Sequence, residues 1–486
     1  MKVALVLHGF PPELVGGTEN SVQALARALV AAGHDVVVIA GSMEWEGGAR
    51  TSTAADLDPV SGREYTVHRI HRSDAYFDHW QKGHSPVAGR MFEELLAAER
   101  PDVVHVQHWI RLSRDLAVRA ARLGIPSVVT LNDLWSTCLV AFRVHPAERA
   151  FCERPLAPEN CLDCAAYVPP RTPWLDHAEQ AAEVEAHRAA VAAELRAARV
   201  LVAPSGVHAR AALGWLGLGD AGLEERVVVL PPAREPAATR CAPKAVPSRF
   251  TADEPLVLAS FGQWSELKGT DLLIEALGLL PEPARVRLLL AGGAPFPAFA
   301  ARVEELAAAC PVDVRLLGAY DHSNLAAHPV AEAHLFVTGT RAHESWGLVV
   351  DEALELGLGT LLPELGALGE RAHDAAAAGT PWATTYQSAS APDLARALQA
   401  LLEAPAQVAA LSAAAARAVA TAEPAGRARP VAELAAAHLA VYERAVEEGP
   451  ASVAPADPEG EAARAAWVEA WDQNLSTHTP EELGLA

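Results

Sequence analysis

The chain has no surplus of positive charge. Lys and Arg number 39 against 61 Asp and Glu, a formal net charge of −22 over 486 residues. A surface that negative repels phosphate backbones and anionic headgroups, so no nucleic acid is expected as a partner and at most peripheral membrane contact. Long apolar runs are missing too. None reaches the roughly 18 residues of a spanning helix, and the uncharged stretch 375–392 is broken by Thr, Ser and Pro. The amino terminus offers one Lys and a short apolar run, residues 3–7, before His8. That is too short for a secretory leader and carries no cleavage site, so a cytoplasmic protein is expected. No repeat at a short fixed period is visible.

The first loop also lacks something. A dinucleotide-binding βαβ unit needs Gly-x-Gly-x-x-Gly in a tight first turn and an acidic residue closing the second strand. Here the loop from Leu7 to Thr18 is long and without that spacing, and the second apolar run ends Ala40-Gly-Ser. A nicotinamide dehydrogenase is excluded. Asp-x-Asp occurs as Asp56-Leu-Asp58, in a polar stretch that reads as a loop rather than a strand end. No catalytic metal is therefore expected.

What is present is an alternation of short apolar runs with amphipathic helix patterns. Residues 3–7, 36–40, 103–106 and 127–131 read as buried strands, and 18–32 as a helix with Val22, Leu25, Ala26 and Leu29 on one face. That rhythm means βαβ units and a parallel sheet. Six prolines between 231 and 255 interrupt it, and the rhythm then restarts with strands at 256–261, 287–291, 314–317 and 334–338. The expected division is a first α/β domain over 1–235, a linker over 236–255, a second α/β domain over 256–425, and a carboxy-terminal helix and tail over 426–486. Residues 431–448 are helical in pattern; the stretch after 451 is either a loose tail or a helix packed back on the first domain.

Two segments carry chemistry. In Glu344-Ser-Trp-Gly-Leu-Val-Val-Asp-Glu352, Glu344 falls in the loop after a strand and Glu352 within the next helix. Gly347 and Leu348 stand at the helix start, where backbone N–H groups can face a phosphate or a sugar oxygen. A carboxylate accepts hydrogen bonds from adjacent hydroxyls, as a ribose or hexose diol presents them. In Phe261-Gly-Gln-Trp-Ser-Glu-Leu-Lys-Gly269, Lys268 sits in a strand-to-helix loop as a point charge. Near the start, Gly16 and Gly17 precede a helix whose dipole favours an anion.

Together these segments resemble the retaining glycosyltransferases of family 4, whose fold is GT-B: two Rossmann-like α/β domains facing across a cleft. The family's Glu-x7-Glu pattern is matched by Glu344 and Glu352-Ala353, and its Gly-Arg-x4-Lys-Gly by Gly262 to Gly269. The resemblance runs through roughly residues 1–420. It implies transfer of a sugar from a UDP-, GDP- or ADP-linked donor to a glycan, lipid-linked or small-molecule acceptor, with retention of configuration. By the same match Glu344 faces the sugar, and Glu352 the ribose. Lys268 meets the diphosphate with Gly16, Gly17 and Gln263 beside it, and the strand-end histidine His108 lies on the acceptor side. Three positions depart from the family: Gln263 for the expected arginine, Gln107 for a frequent histidine, and Asn132 for the histidine before Asp133. Either Lys268 and backbone amides suffice, or a basic residue such as Arg341 substitutes. The departures leave two alternatives, a catalytically silent GT-B protein and a nucleotide-sugar epimerase that binds the same donor.

Of six cysteines, Cys138, Cys152, Cys161 and Cys164 form C-x13-C-x8-C-x2-C. In a cytoplasmic chain that clustering suggests metal before disulfide. A structural zinc with tetrahedral thiolate ligands and four plain thiols are both open readings.

Overall fold

The computed structural model describes every residue except 45, 74–79, 166–175, 220–221, 235–240, 421–428 and 476–486. The chain divides into two compact units. The first comprises 1–141, 153–234 and 429–486; the second comprises 142–152 and 235–428. Part of the 231–255 proline stretch lies outside the described residues, as does the end of the tail.

The first unit is built on β1 (Lys2–Leu7), β2 (Asp35–Gly41), β3 (Arg50–Leu57), β4 (Glu64–His71), β5 (Val103–Val106), β6 (Ser127–Thr130), β7 (Val200–Ala203) and β8 (Val227–Val229). A two-residue strand, β9 (Ala233–Arg234), follows. The sheet order is β3-β4-β2-β1-β5-β6-β7-β8, parallel throughout except for β3. Strand side chains alternate between two cores, as a period of two requires. Ala4 and Val6 join Phe92, Leu96 and Leu195 on one face. Val3, Leu5 and Leu7 join Leu25, Leu29 and Tyr442 on the other. The polar stretch that reads as a loop is in fact the edge strand β3, whose side chains are mostly exposed. Asp56 there accepts from Tyr65 Oη at 2.5 Å and Gln23 Nε2 at 2.8 Å, a structural role.

The second unit holds β10 (Leu256–Gln263), β11 (Val286–Gly293), β12 (Asp313–Gly318), β13 (Leu335–Val337), β14 (Gly359–Pro363) and β15 (Ala383–Tyr386). Their order is β12-β11-β10-β13-β14-β15, all parallel. The chain winds outward from β10 to β12, then returns to lay β13 on β10's other side. Ligands of open α/β sheets bind at such a reversal, outside the carboxyl ends of the strands. In this unit the reversal lies between β10 and β13.

The carboxy-terminal segment returns to the first unit. The strand β16 (Arg429–Pro430) pairs in parallel with β9. The helix Val431–Glu448 then contributes Leu434, Val441, Tyr442 and Ala445 to the core that holds Leu5 and Leu25. Tyr442 Oη lies 2.8 Å from Nδ1 of the fully buried His105. The helix Pro458–Leu475 follows, tied by Glu461 to Arg119 at 2.8 Å. No helix among the described residues is long and apolar enough to cross a membrane.

Candidate functional site

At the reversal in the second unit two loops meet. The first leaves β10 at Gln263, whose side chain is exposed, and reaches the helix Thr270–Leu277 through Gly269. Trp264 N donates to Gly293 O at 2.9 Å and Lys268 N to Ser265 Oγ at 3.2 Å, so the loop is a defined turn. The second leaves β13 and carries Gly339, Thr340, Arg341 and Glu344. Arg341 N donates to Leu267 O at 2.9 Å, which ties the loops together. Their side chains then converge: Lys268 Nζ stands 2.6 Å from Glu344 Oε1. The Thr340 hydroxyl lies 3.1 Å from Leu267 O and 3.4 Å from the same Glu344 oxygen. Residues 76 apart in sequence thus form one ion pair.

Glu344 is fixed from the other side as well. Its carbonyl accepts from Ala367 N at 3.0 Å. Behind it, the almost fully buried Arg371 donates to Trp346 O at 3.1 Å, Gly347 O at 3.0 Å and Asp351 Oδ1 at 2.9 Å. Its guanidinium also lies 4.3 Å from the Trp346 ring centroid, and Trp346 Nε1 donates to Asp351 Oδ2 at 3.0 Å. Such a planar fork reads two carbonyls and a carboxylate at once. Arg371 is a residue that sequence reasoning missed. Gly347 caps the helix Leu348–Glu355 at φ 83°, which leaves the N–H groups of its first turn without a side-chain cap. Glu352 lies buried in that helix.

Arg341 is committed elsewhere. Buried, it donates to Asp271 Oδ1 at 2.7 Å and Glu266 O at 2.8 Å, so its charge is balanced inside the fold.

The first unit makes a second cluster at the ends of β1 and β5. His8 Nε2 lies 2.7 Å from Glu19 Oε1, in the first turn of the helix Gly17–Ala31. A Cβ on Gly16 would fall 2.6 Å from Glu19 Oε2, whereas one on Gly17 would meet nothing within 4 Å. The His8 and His108 rings are 4.2 Å apart. His108 Nδ1 accepts from Trp109 N at 3.0 Å and Ile110 N at 3.1 Å, which places the ring proton on Nε2. That proton is donated to Asp133 Oδ2 at 2.9 Å. Burial opposes ionisation of Asp133, but its electrostatic interaction and hydrogen bond with the adjacent His108, together with the bond from Trp135 N, hold its carboxyl at about 2. Burial lowers His8 below the ordinary histidine value, helped by His108 and partly offset by Glu19. Gln107 and Asn132, two departures in the loops that follow β5 and β6, bond to each other: Asn132 Nδ2 donates to Gln107 Oε1 and to its carbonyl, both at 2.9 Å.

Cys138, Cys161 and Cys164 belong to the first unit and Cys152 to the second. Among the described residues no group of three or more His, Cys, Asp or Glu side chains is placed to hold a metal ion.

Residues 15–238 match the family model described as Glycosyltransferase Family 4, and residues 255–404 that of Glycosyl transferases group 1. The chain belongs to glycosyltransferase family 4. Its fold is shared with sucrose-phosphate synthase of Thermosynechococcus elongatus, at TM-score 0.61 and 19% identity, covering 92% of this chain and 99% of that one. It is shared also with the Anabaena HepE protein in complex with UDP, at TM-score 0.56 and 16% identity, covering 91% of this chain and 100% of that one. Among curated relatives, this family 4 chain is 28% identical over 170 residues to glycogen synthase of Mycobacterium tuberculosis. That match takes in 30% of this chain and only 39% of the relative's length. Both units are thus the Rossmann-like halves of a GT-B protein.

Proposed function

We propose that this family 4 protein transfers a glycosyl group from a nucleotide diphosphate-sugar to an acceptor hydroxyl, with retention of anomeric configuration. The observation that carries the reading is the contact of Lys268 with Glu344 at the sheet reversal. An ammonium and a carboxylate side by side match the two charges of glycosyl transfer. Negative charge develops on the leaving diphosphate and is stabilised by a preorganised cation, the part assigned to Lys268. Positive charge develops at the anomeric carbon, the part assigned to Glu344. The uncapped N–H groups at Gly347 and Leu348 suit phosphate or sugar oxygens. Glu352 suits the ribose diol. In the first unit His108 is assigned to the acceptor side, and Gly16 and Gly17 to the donor phosphates. The UDP named with the HepE structure supports a nucleotide-linked donor; UDP-, GDP- and ADP-sugars are the candidates.

A silent GT-B protein is the second reading, favoured by Gln263 standing exposed without a guanidinium while Arg341 is engaged with Asp271. One assay separates the two. Purified protein is given UDP-, GDP- and ADP-sugars with and without glycan, lipid-linked and small-molecule acceptors, and nucleoside diphosphate release is followed. Release with one donor class supports transfer, and NMR of the product then reads retention. Donor binding without release in any combination would leave the silent reading standing.

A further inference from the structure

The segment 142–152 interrupts the first unit's sequence yet belongs to the second unit. It is a small hairpin. Val144 and Phe151 form an antiparallel bridge, Cys152 N donates to Arg143 O at 2.6 Å, and His145 N donates to Ala150 O at 2.8 Å. Arg149 stands at its turn with φ 52°, a left-handed conformation uncommon for a side chain of this size. Two contacts dock the hairpin against the loops of the candidate site. Phe151 stacks on His343, the neighbour of Glu344, with ring centroids 5.5 Å apart and planes at 28°. Arg149 forms ion pairs through Nε with Glu266 and through Nη2 with Asp271.

The charges explain what this does. Lys268 is already paired with Glu344, and buried Asp271 is balanced by Arg341. Glu266, two residues before Lys268 and about half exposed, is the carboxylate left over in this loop, and Arg149 is the cation on it. Without Arg149, a dianionic ligand approaching Lys268 would meet an uncompensated negative charge. At position 263, where the family carries an arginine, this chain has an uncharged side chain.

We propose that Arg149 is a positioning residue for the donor: from the hairpin it neutralises Glu266 and holds the Lys268 loop, so that the diphosphate meets the Lys268 charge without an opposing carboxylate beside it. The proposal rests on the reading of Lys268 as the diphosphate contact. It assigns the 142–152 hairpin to donor affinity, although its sequence lies within the first half of the chain.

The test is calorimetric binding of UDP, GDP and ADP to the full chain, unaltered and as Arg149→Ala, Arg149→Lys, Glu266→Gln and the double variant Arg149→Ala/Glu266→Gln. For whichever nucleotide binds the unaltered chain, Arg149→Ala should weaken affinity about five- to tenfold at low salt, and the gap should narrow as salt is raised. Arg149→Lys keeps the charge and should stay close to the unaltered chain. The double variant removes both charges and should recover to within about twofold, which a merely structural role of Arg149 would not produce. Unchanged binding by Arg149→Ala, or a double variant no better than Arg149→Ala, would overturn the proposal. Failure of all three nucleotides to bind the unaltered chain would overturn the donor reading itself, and this proposal with it.

Discussion

Gly269 and Gly339 face each other at a distance that admits no side chain on either. A Cβ built on Gly269 would fall 1.8 Å from Gly339 O, and one on Gly339 would fall 2.3 Å from Gly269 O. This approach lets the Lys268 loop lie against the loop that carries Thr340 and Glu344. Gly339→Ala must push the two backbones apart, and overpacking of this kind costs about 1–3 kcal/mol. Thermal unfolding should show a melting temperature several degrees lower. Gly17→Ala, with open space around the added carbon, should leave the melting temperature unchanged or slightly raised. Equal behaviour of the two would refute the role given to the glycine contact.

The Lys268–Glu344 pair divides binding from turnover. Glu344→Gln keeps the size of the side chain and removes the charge that matters as the anomeric carbon becomes positive. It should lower kcat by about a hundredfold or more, with little change in donor KM. Glu352→Ala should mainly raise donor KM. Steady-state kinetics on both variants checks the division, and small equal effects would sink it.

Arg371 should be costly to remove. Arg371→Met leaves Asp351 buried without its cation, and breaking a buried pair from one side costs about 3–5 kcal/mol. Denaturant unfolding of the single variant and of Arg371→Met/Asp351→Asn should show the second change recovering part of the loss. A second variant less stable than the first would rule out the pairing as the cause.

Two carboxyl groups of the first unit give opposite pH slopes. Glu194 is wholly buried and accepts from Ala117 N at 2.6 Å, Trp109 Nε1 at 3.0 Å and Val118 N at 3.1 Å. Burial pushes its carboxyl up to about 8. The folded state then holds a proton that the unfolded state has released, so stability falls as pH rises from about 4 to about 8, by up to about 1.4 kcal/mol per pH unit. Asp133, held at about 2, works the other way, its contribution present at neutral pH and lost as pH falls from about 4 through about 2. Urea unfolding across pH 5 to 8 should show the stability of the unaltered chain falling, relative to that of Glu194→Gln, as pH rises. A slope untouched by that change would remove Glu194 as its source.

Much of both sheets is legible in the sequence because buried parallel strands are short apolar runs between helical patterns. The runs 3–7, 36–40 and 256–261 fall within β1, β2 and β10 for that reason. The edge strand β3 is illegible because it is exposed on both faces and held by its pairing with β4 rather than by apolar alternation. The segments carrying Lys268 and Glu344 stand out by motif, but their contact depends on β13 returning beside β10. Arg371 reads as one arginine on a helix until Trp346, Gly347 and Asp351 gather round it. Gln107 and Asn132 look like two separate losses, and only the β5–β6 pairing shows them as one hydrogen-bonded replacement. The assignment of residues 142–152, and Cys152 with them, to the second unit is not legible in the cysteine spacing.

The return of the carboxy-terminal helix to the first unit bears on how the chain is made. During synthesis an amino-terminal domain ordinarily folds before the one that follows it emerges. Here the first unit cannot fill its core until Leu434, Val441 and Tyr442 have left the ribosome, whereas every residue of the second unit has been translated by 428. The part of the buried face around Leu5 and Leu25 that this helix covers must wait, exposed, while its successor matures. A stop codon just before β16 would therefore injure the unit at the opposite end of the gene.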